Sequence, residues 1–167
     1  MTIIRKAVEN DAKEIARLLV SVGEVHWRAR PDMYTPNMVK HDEEGVKALL
    51  LGGEYMALVA IDGDKTVGEL IYKIERREEN EIYKARKWLY IDDMCVDESA
   101  RGSGVAQLLM DEAERIALNE GCVAVELNCW AFNTRAEKFY EKNGFLRQKS
   151  QFEKILKNKQ YKMENTL

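Results

Sequence analysis

Apolar positions change period several times along the chain, and each change predicts an element. The opening "TIIRKAV", residues 2–8, has the pattern of a short strand. Ile15, Leu18, Leu19 and Val22 then recur at the three- and four-residue spacing of one helix face, with Asp11 and Glu14 spaced as a capping box in front of them. Residues 23–40 lose that period and hold both prolines and several aromatics, so they are expected to be irregular or a broken helix, the kind of segment that lines a site. "HDEEGVKALLLGG", 41–53, restores the period for a second short helix stopped by Gly52 and Gly53.

Strand patterns dominate the middle of the chain. "YMALVAI" and "TVGELIYKI" flank the turn "DGDK" and predict an antiparallel hairpin, followed by the charged connection or flap "ERREENEIYKARK". "WLYIDDMCV", 88–96, is the next strand, and "DESARGSG" leads from it into a helix carrying Val105, Leu108, Leu109, Ala113 and Ile116, closed by Gly121. "VAVELNCW" predicts another strand, "NTRAEKFYEKNGF" a helix capped by Asn133 and stopped at Gly144, and "LRQKSQFEKIL" a last strand pair. The order predicts an α/β sandwich, a mixed sheet with helices on both faces.

Composition narrows the class. A chain of 167 residues, 46% apolar and 33% charged, suits one self-folding domain, assigned to 1–156, with the polar stretch 157–167 as a tail. Net charge is −3 with the signs interspersed, so no basic stripe points to nucleic acid, and a cationic small molecule is the better partner. No apolar run nears the roughly 20 residues that span a bilayer, which predicts no membrane partner and a cytoplasmic location. Cys95, Cys122 and Cys129 are odd in number and lack the paired spacing of a zinc site. They read as buried thiols in a reducing compartment, with no metal expected.

The stretch "ARGSGVAQLL", 100–109, puts two glycines where a helix begins. A glycine turn between strand and helix leaves the first helical N–H groups unpaired at the positive end of the helix dipole, where a phosphate binds readily. Gly102 and Gly104 carry no Cβ to obstruct a pyrophosphate, and Arg101 adds a full charge. The same stretch also reads as a plain strand-to-helix turn. It completes neither the G-x-G-x-x-G dinucleotide fingerprint nor a P-loop.

Arg101-x-x-Gly104-x-Ala106 after "VDES" resembles the Arg/Gln-x-x-Gly-x-Gly/Ala signature of the GNAT superfamily of acyl-CoA-dependent N-acetyltransferases. Downstream, "NTRAEKFYEKNGF" is similar to that family's Asn-x-x-Ala-x-x-Phe-Tyr-x-x-x-Gly-Phe segment. The element order agrees with the family over about residues 2–156. The resemblance implies a mostly antiparallel sheet with one splayed parallel strand pair, and acetyl-CoA as cosubstrate. It implies that the main chain of Met94, Cys95 and Val96 pairs with the pantetheine arm, while Arg101, Gly102, Ser103, Gly104, Val105 and Ala106 surround the pyrophosphate. Asn128 and Asn133 are positioned to bond the amide-bearing arm, and Asn133 also reads as a helix N-cap.

Transfer to an amine requires removal of a proton, because an alkylammonium with a pKa near ~10 is protonated at pH 7. "IDDM" offers Asp92 and Asp93 within a strand, and strict alternation sends them to opposite faces. Asp92 is aligned with an acidic residue similar to the base of polyamine acetyltransferases and is favoured over Asp93, although a bulge in that strand would change which side chain faces the substrate. The resemblance makes the amide near Met94 the oxyanion donor and Tyr140 the proton source for the leaving thiolate. His26 reads as a surface or half-buried imidazole and Cys95 as a buried strand thiol. Trp27, Tyr34, Trp88 and Trp130 read equally as pocket walls or core.

The function expected is acetyl transfer from acetyl-CoA to a primary amine of a small molecule or peptide, by direct attack in a ternary complex, in a chain that pairs as a homodimer by analogy. A non-catalytic acyl-CoA-binding sensor is the alternative, and Asp92 together with Tyr140 argues against it. A phosphonucleotide-binding domain is a further alternative.

Overall fold

The hairpin read around "DGDK" forms the middle of a five-stranded sheet whose order follows the chain: β1 (Ile3–Lys6), β2 (Met56–Asp62), β3 (Lys65–Arg77), β4 (Arg86–Val96) and β5 (Val125–Leu127). Neighbours from β1 to β4 are antiparallel, and β4 and β5 are parallel. A computed structural model describes residues 1–156, so the tail expected over 157–167 lies outside the described residues. The chain divides into two compact units, Met1–Asn128 and a second that begins at Cys129.

Among the described residues four helices accompany the strands: α1 (Ala12–Ala29), α2 (Glu43–Leu51), α3 (Val105–Asn119) and α4 (Thr134–Lys142). Strand alternation sorts the first three between the two faces of the sheet. Ala57, Val59 and Ile71 pack with Ala12, Ile15, Ala16 and Leu19 of α1 and Val46 of α2. On the opposite face a Cβ placed at Gly68 would lie 3.1 Å from Val105 and 3.2 Å from Leu109, so α3 rests closely on β3. Ile15, Leu18, Leu19, Leu58, Leu70, Leu89, Leu109 and Met110 are fully buried between these layers, and burial of each such side chain is worth about 1.5–3 kcal/mol.

Three local expectations change. Asp11 does not cap α1 with its side chain. A 3-10 turn at Glu9–Asp11 precedes the helix, and the Asp11 carboxylate turns back to accept from the Val8 amide at 2.8 Å and from the Arg5 guanidinium at 2.7 and 2.8 Å. The irregular segment or broken helix expected over 23–40 begins only after Ala29, because α1 continues to that residue. Gly23 is a packing position inside that helix: an added Cβ would sit 2.7 Å from the carbonyl oxygen of Met38. The strand pair expected in "LRQKSQFEKIL" does not form among the described residues. Its apolar side chains are separated by polar runs and left in solvent, Phe152 at 93% exposure.

In the second unit, α4 has the N-cap predicted for it. The Asn133 side chain accepts from the Ala136 amide at 3.2 Å, and Gly144 follows the helix at φ 81°.

Candidate active site

β4 is bonded to β3 along its whole length but to β5 only through Leu89, Tyr90 and Ile91. β5 ends at Leu127, so among the described residues no strand pairs with this edge of β4 from Asp92 onward. The register with β3 also shifts there: Tyr72 faces Ile91 and Ile71 faces Asp93, which makes Asp92 the extra residue of a β-bulge. The bulge cancels the alternation that would send Asp92 and Asp93 to opposite faces. Both carboxylates reach one cation, the Lys40 ammonium, at 2.8 Å from Asp92 and 3.0 Å from Asp93.

Behind this pair lies Glu69, fully buried on β3 opposite Cys95, with no hydrogen-bond partner on either carboxyl oxygen. Burial first and the Asp93 charge second push its pKa well above the ordinary carboxylate range, tempered by Lys40 and the Cys95 main chain. Burial, its largest cause, also lifts the Cys95 thiol to about 12, which leaves little reactive thiolate there. His26 is half-buried and held below its usual pKa by burial, opposed by Asp93; its ring lies 5.5 Å from that of Tyr34. On the other side, the Asn128 side-chain amide donates to the Tyr90 hydroxyl at 2.9 Å, and Asp92 and burial raise that phenol.

At the far end of β4 the chain passes Asp97, a 3-10 turn at Glu98–Ala100, and the glycine turn into α3. Gly102 and Gly104 have φ of 82° and 90°, a left-handed geometry that other residues rarely adopt, and an added Cβ at either would meet nothing within 4 Å. Two amides of the turn are used locally, Arg101 N–H to Glu98 at 3.3 Å and Ser103 N–H to Ala100 at 3.4 Å. Among the described residues no N-cap side chain accepts from the first turn of α3, so helix geometry leaves the amides of Val105 and Ala106 without an intrahelical acceptor. Arg101 is paired with Glu98 at 3.1 Å, an exposed and weak contact.

A family model described as "Acetyltransferase (GNAT) family" matches residues 19–145. The chain belongs to the GNAT acetyltransferase family. Blasticidin-S acetyltransferase of Streptomyces morookaense is 37% identical over 60 residues, 35% of this chain and 43% of that protein. The matched stretches span less than half the length of the curated relatives they match. Among solved structures, the tetramutant of BH1408 protein from Bacillus halodurans superposes with a TM-score of 0.87 at 30% identity, covering 92% of this chain and 99% of that one. An aminoglycoside acetyltransferase from an uncultured soil metagenomic sample shares the fold at a TM-score of 0.70 and 22% identity, covering 93% and 97%.

Within this GNAT fold the residues read from the motifs fall into two groups. Asp92, Met94, Cys95, Val96 and the turn Arg101–Ala106 belong to β4 and the segment that leaves it for α3, and Asn128 directly follows β5, all within the first unit. Asn133 and Tyr140 belong to the second unit, where the Tyr140 ring packs 5.6 Å from both Phe139 and Phe145, and Arg147 pairs with Glu137. Of the three cysteines expected to be buried, only Cys95 is; Cys122 is half-buried and Cys129, beyond the end of β5, is exposed. Lys40 and Glu69 are the additions that sequence reading missed. Glu69 had a signal, a carboxylate at an inward position of "TVGELIYKI", whereas Lys40 lies between α1 and α2 with no period to mark it. No helix among the described residues is long and apolar enough to cross a membrane.

Proposed function

We propose that the protein moves an acetyl group from acetyl-CoA to a primary amine by direct attack in a ternary complex, with Asp92 as the base. One observation carries this reading: a primary ammonium is held by two carboxylates at the point where β4 loses its partner strand. That arrangement sets a cationic amine beside free main-chain donors and acceptors. Asp92, whose side chain is 24% exposed, retains access to the water through which a proton leaves, while Asp93 at 9% anchors the charge.

The residues present fit the cosubstrate. The β4 edge at Met94, Cys95 and Val96 suits an amide-bearing arm added as a further strand, and Asn128, with Asn133 by its motif, is assigned to bond that arm. The open, positive-φ turn from Arg101 through Gly102, Ser103 and Gly104 to Val105 and Ala106 suits a pyrophosphate. Acetyl-CoA supplies an activated thioester carbonyl when bound. The Met94 amide is assigned to meet the negative charge that develops on that carbonyl oxygen. Tyr140 is assigned, by its motif, to protonate the departing thiolate.

A thiol-release assay with acetyl-CoA and a panel of primary amines tests the reading. Asp92→Asn is expected to lower kcat/KM by roughly 10²–10⁴-fold with little change in acetyl-CoA affinity. Tight acetyl-CoA binding without thiol release from any acceptor, and no effect of Asp92→Asn, would establish the sensor instead.

A further inference from the structure

Lys40 presents the same chemical group as the acceptor assigned above, a primary ammonium on a flexible alkyl stem. Its three N–H bonds face three acceptors: Asp92 Oδ2 at 2.8 Å, Asp93 Oδ2 at 3.0 Å and the Asp92 carbonyl oxygen at 3.5 Å. Asp92 and Asp93 are two carboxylates that repel one another without a cation between them, and the fully buried Glu69 behind them supplies no counter-charge. The cation that answers them comes from the non-helical segment between α1 and α2, not from the sheet. It lines an open cleft of about 430 Å³ with Val39, His41, Asp42 and Gly45, so its side chain has solvent to withdraw into.

We propose that Lys40 is a tethered occupant of the acceptor's ammonium position, so that an amine binds only by displacing it. The inference rests on the reading of Asp92 as the group that receives the acceptor. It makes Lys40 a specificity determinant: an acceptor must offer an ammonium able to compete for both carboxylates, which favours aliphatic primary amines over neutral ones. If the Lys40-released form is populated at ~10% or less, the apparent affinity for an acceptor is reduced about tenfold or more.

Calorimetric titration of the full chain with n-butylammonium, which copies the lysine head group and stem, reads this without catalysis. Lys40→Met, which keeps an unbranched apolar side chain and removes the charge, is expected to bind the probe at least about tenfold more tightly, and Lys40→Arg no more tightly than the natural chain. A folded Lys40→Met protein with unchanged or weaker binding overturns the proposal. The natural chain gives a second test that needs no folded variant. The ¹⁵Nζ–¹H signal of Lys40, kept visible by its carboxylate partners, is expected to vanish as n-butylammonium saturates the protein. Its persistence at saturation overturns the proposal. Absence of acetyl transfer to every amine would sink the enzyme reading and leave both binding measurements to decide the role of Lys40.

Discussion

A carboxyl group at position 69 is fully buried in the middle of β3. Ionising it there is costly, and its raised pKa means the folded chain holds a proton that the unfolded chain releases. The sign follows directly. Below the unfolded pKa near ~4.3 both states are protonated and Glu69 adds no pH dependence; as pH rises above that value toward the raised folded one, folding loses stability. Glu69→Gln removes the proton exchange. Its melting temperature relative to the natural chain is therefore expected to climb between about pH 4 and pH 7 by a few degrees, on a scale of about 2–4 °C per kcal/mol. A difference that stays flat with pH would show that Glu69 is ionised in the fold. Asp92 was legible in the sequence because two adjacent carboxylates in an apolar strand demand partners or a task. Their convergence was not legible, because a bulge depends on the residue count of the facing strand, which no local pattern in "IDDM" records.

Elements with a sustained period were read close to their true extent. α2, α3, α4 and the β2–β3 hairpin fall where the apolar spacing, the caps and the turn residues place them. The failures share a physical cause, contacts made from outside the element. α1 passes through Gly23 because another segment needs the missing side chain: the Met38 carbonyl occupies the space a Cβ would take. β5 is limited to Val125–Leu127, and its pairing with β4 stops at Ile91, the residue before the bulge, a place where ladders are disrupted. The close approach at Gly23 lies two residues from Lys40 through Met38, and it can be tested. Alanine is better than glycine inside a helix by up to about 1 kcal/mol, yet a main-chain oxygen at 2.7 Å must move, at about 1–3 kcal/mol. Gly23→Ala is expected to lower the melting temperature and to shift the Lys40 ¹⁵Nζ signal. A melting temperature equal to or above that of the natural chain would mean that residues 30–42 yield freely.

In the first unit, the ion pairs Arg5–Asp11 and Arg17–Asp97 each hold a carboxylate below its ordinary pKa. Arg5 on β1 lowers Asp11 at the start of α1, chiefly through their hydrogen bonds. Arg17 on α1 spans to Asp97 at the end of β4 at 2.7 Å and to the Thr66 carbonyl at 3.0 Å, while Ser99 donates to the same Asp97 through its hydroxyl and amide. Together, with Ser99 the largest contributor, these contacts hold Asp97 at about 2. A carboxylate with a depressed folded pKa stabilises the fold fully above its unfolded value, near ~3.9, and loses that contribution as pH falls through the folded one. Asp97 therefore adds acid sensitivity between about pH 4 and pH 2. Arg17 is part-exposed, so its screened pair with Asp97 is worth no more than about 1 kcal/mol, or about 2–4 °C in melting temperature for a chain of this size. Asp97→Asn keeps an acceptor for Ser99 and removes the charge. The natural chain is expected to melt higher than Asp97→Asn by that amount at pH 5–7, with the gap closing toward pH 2. A gap that persists at pH 2 would mean that the Arg17 link acts through geometry and not through charge, and the tie between α1 and the glycine turn would then be insensitive to acid.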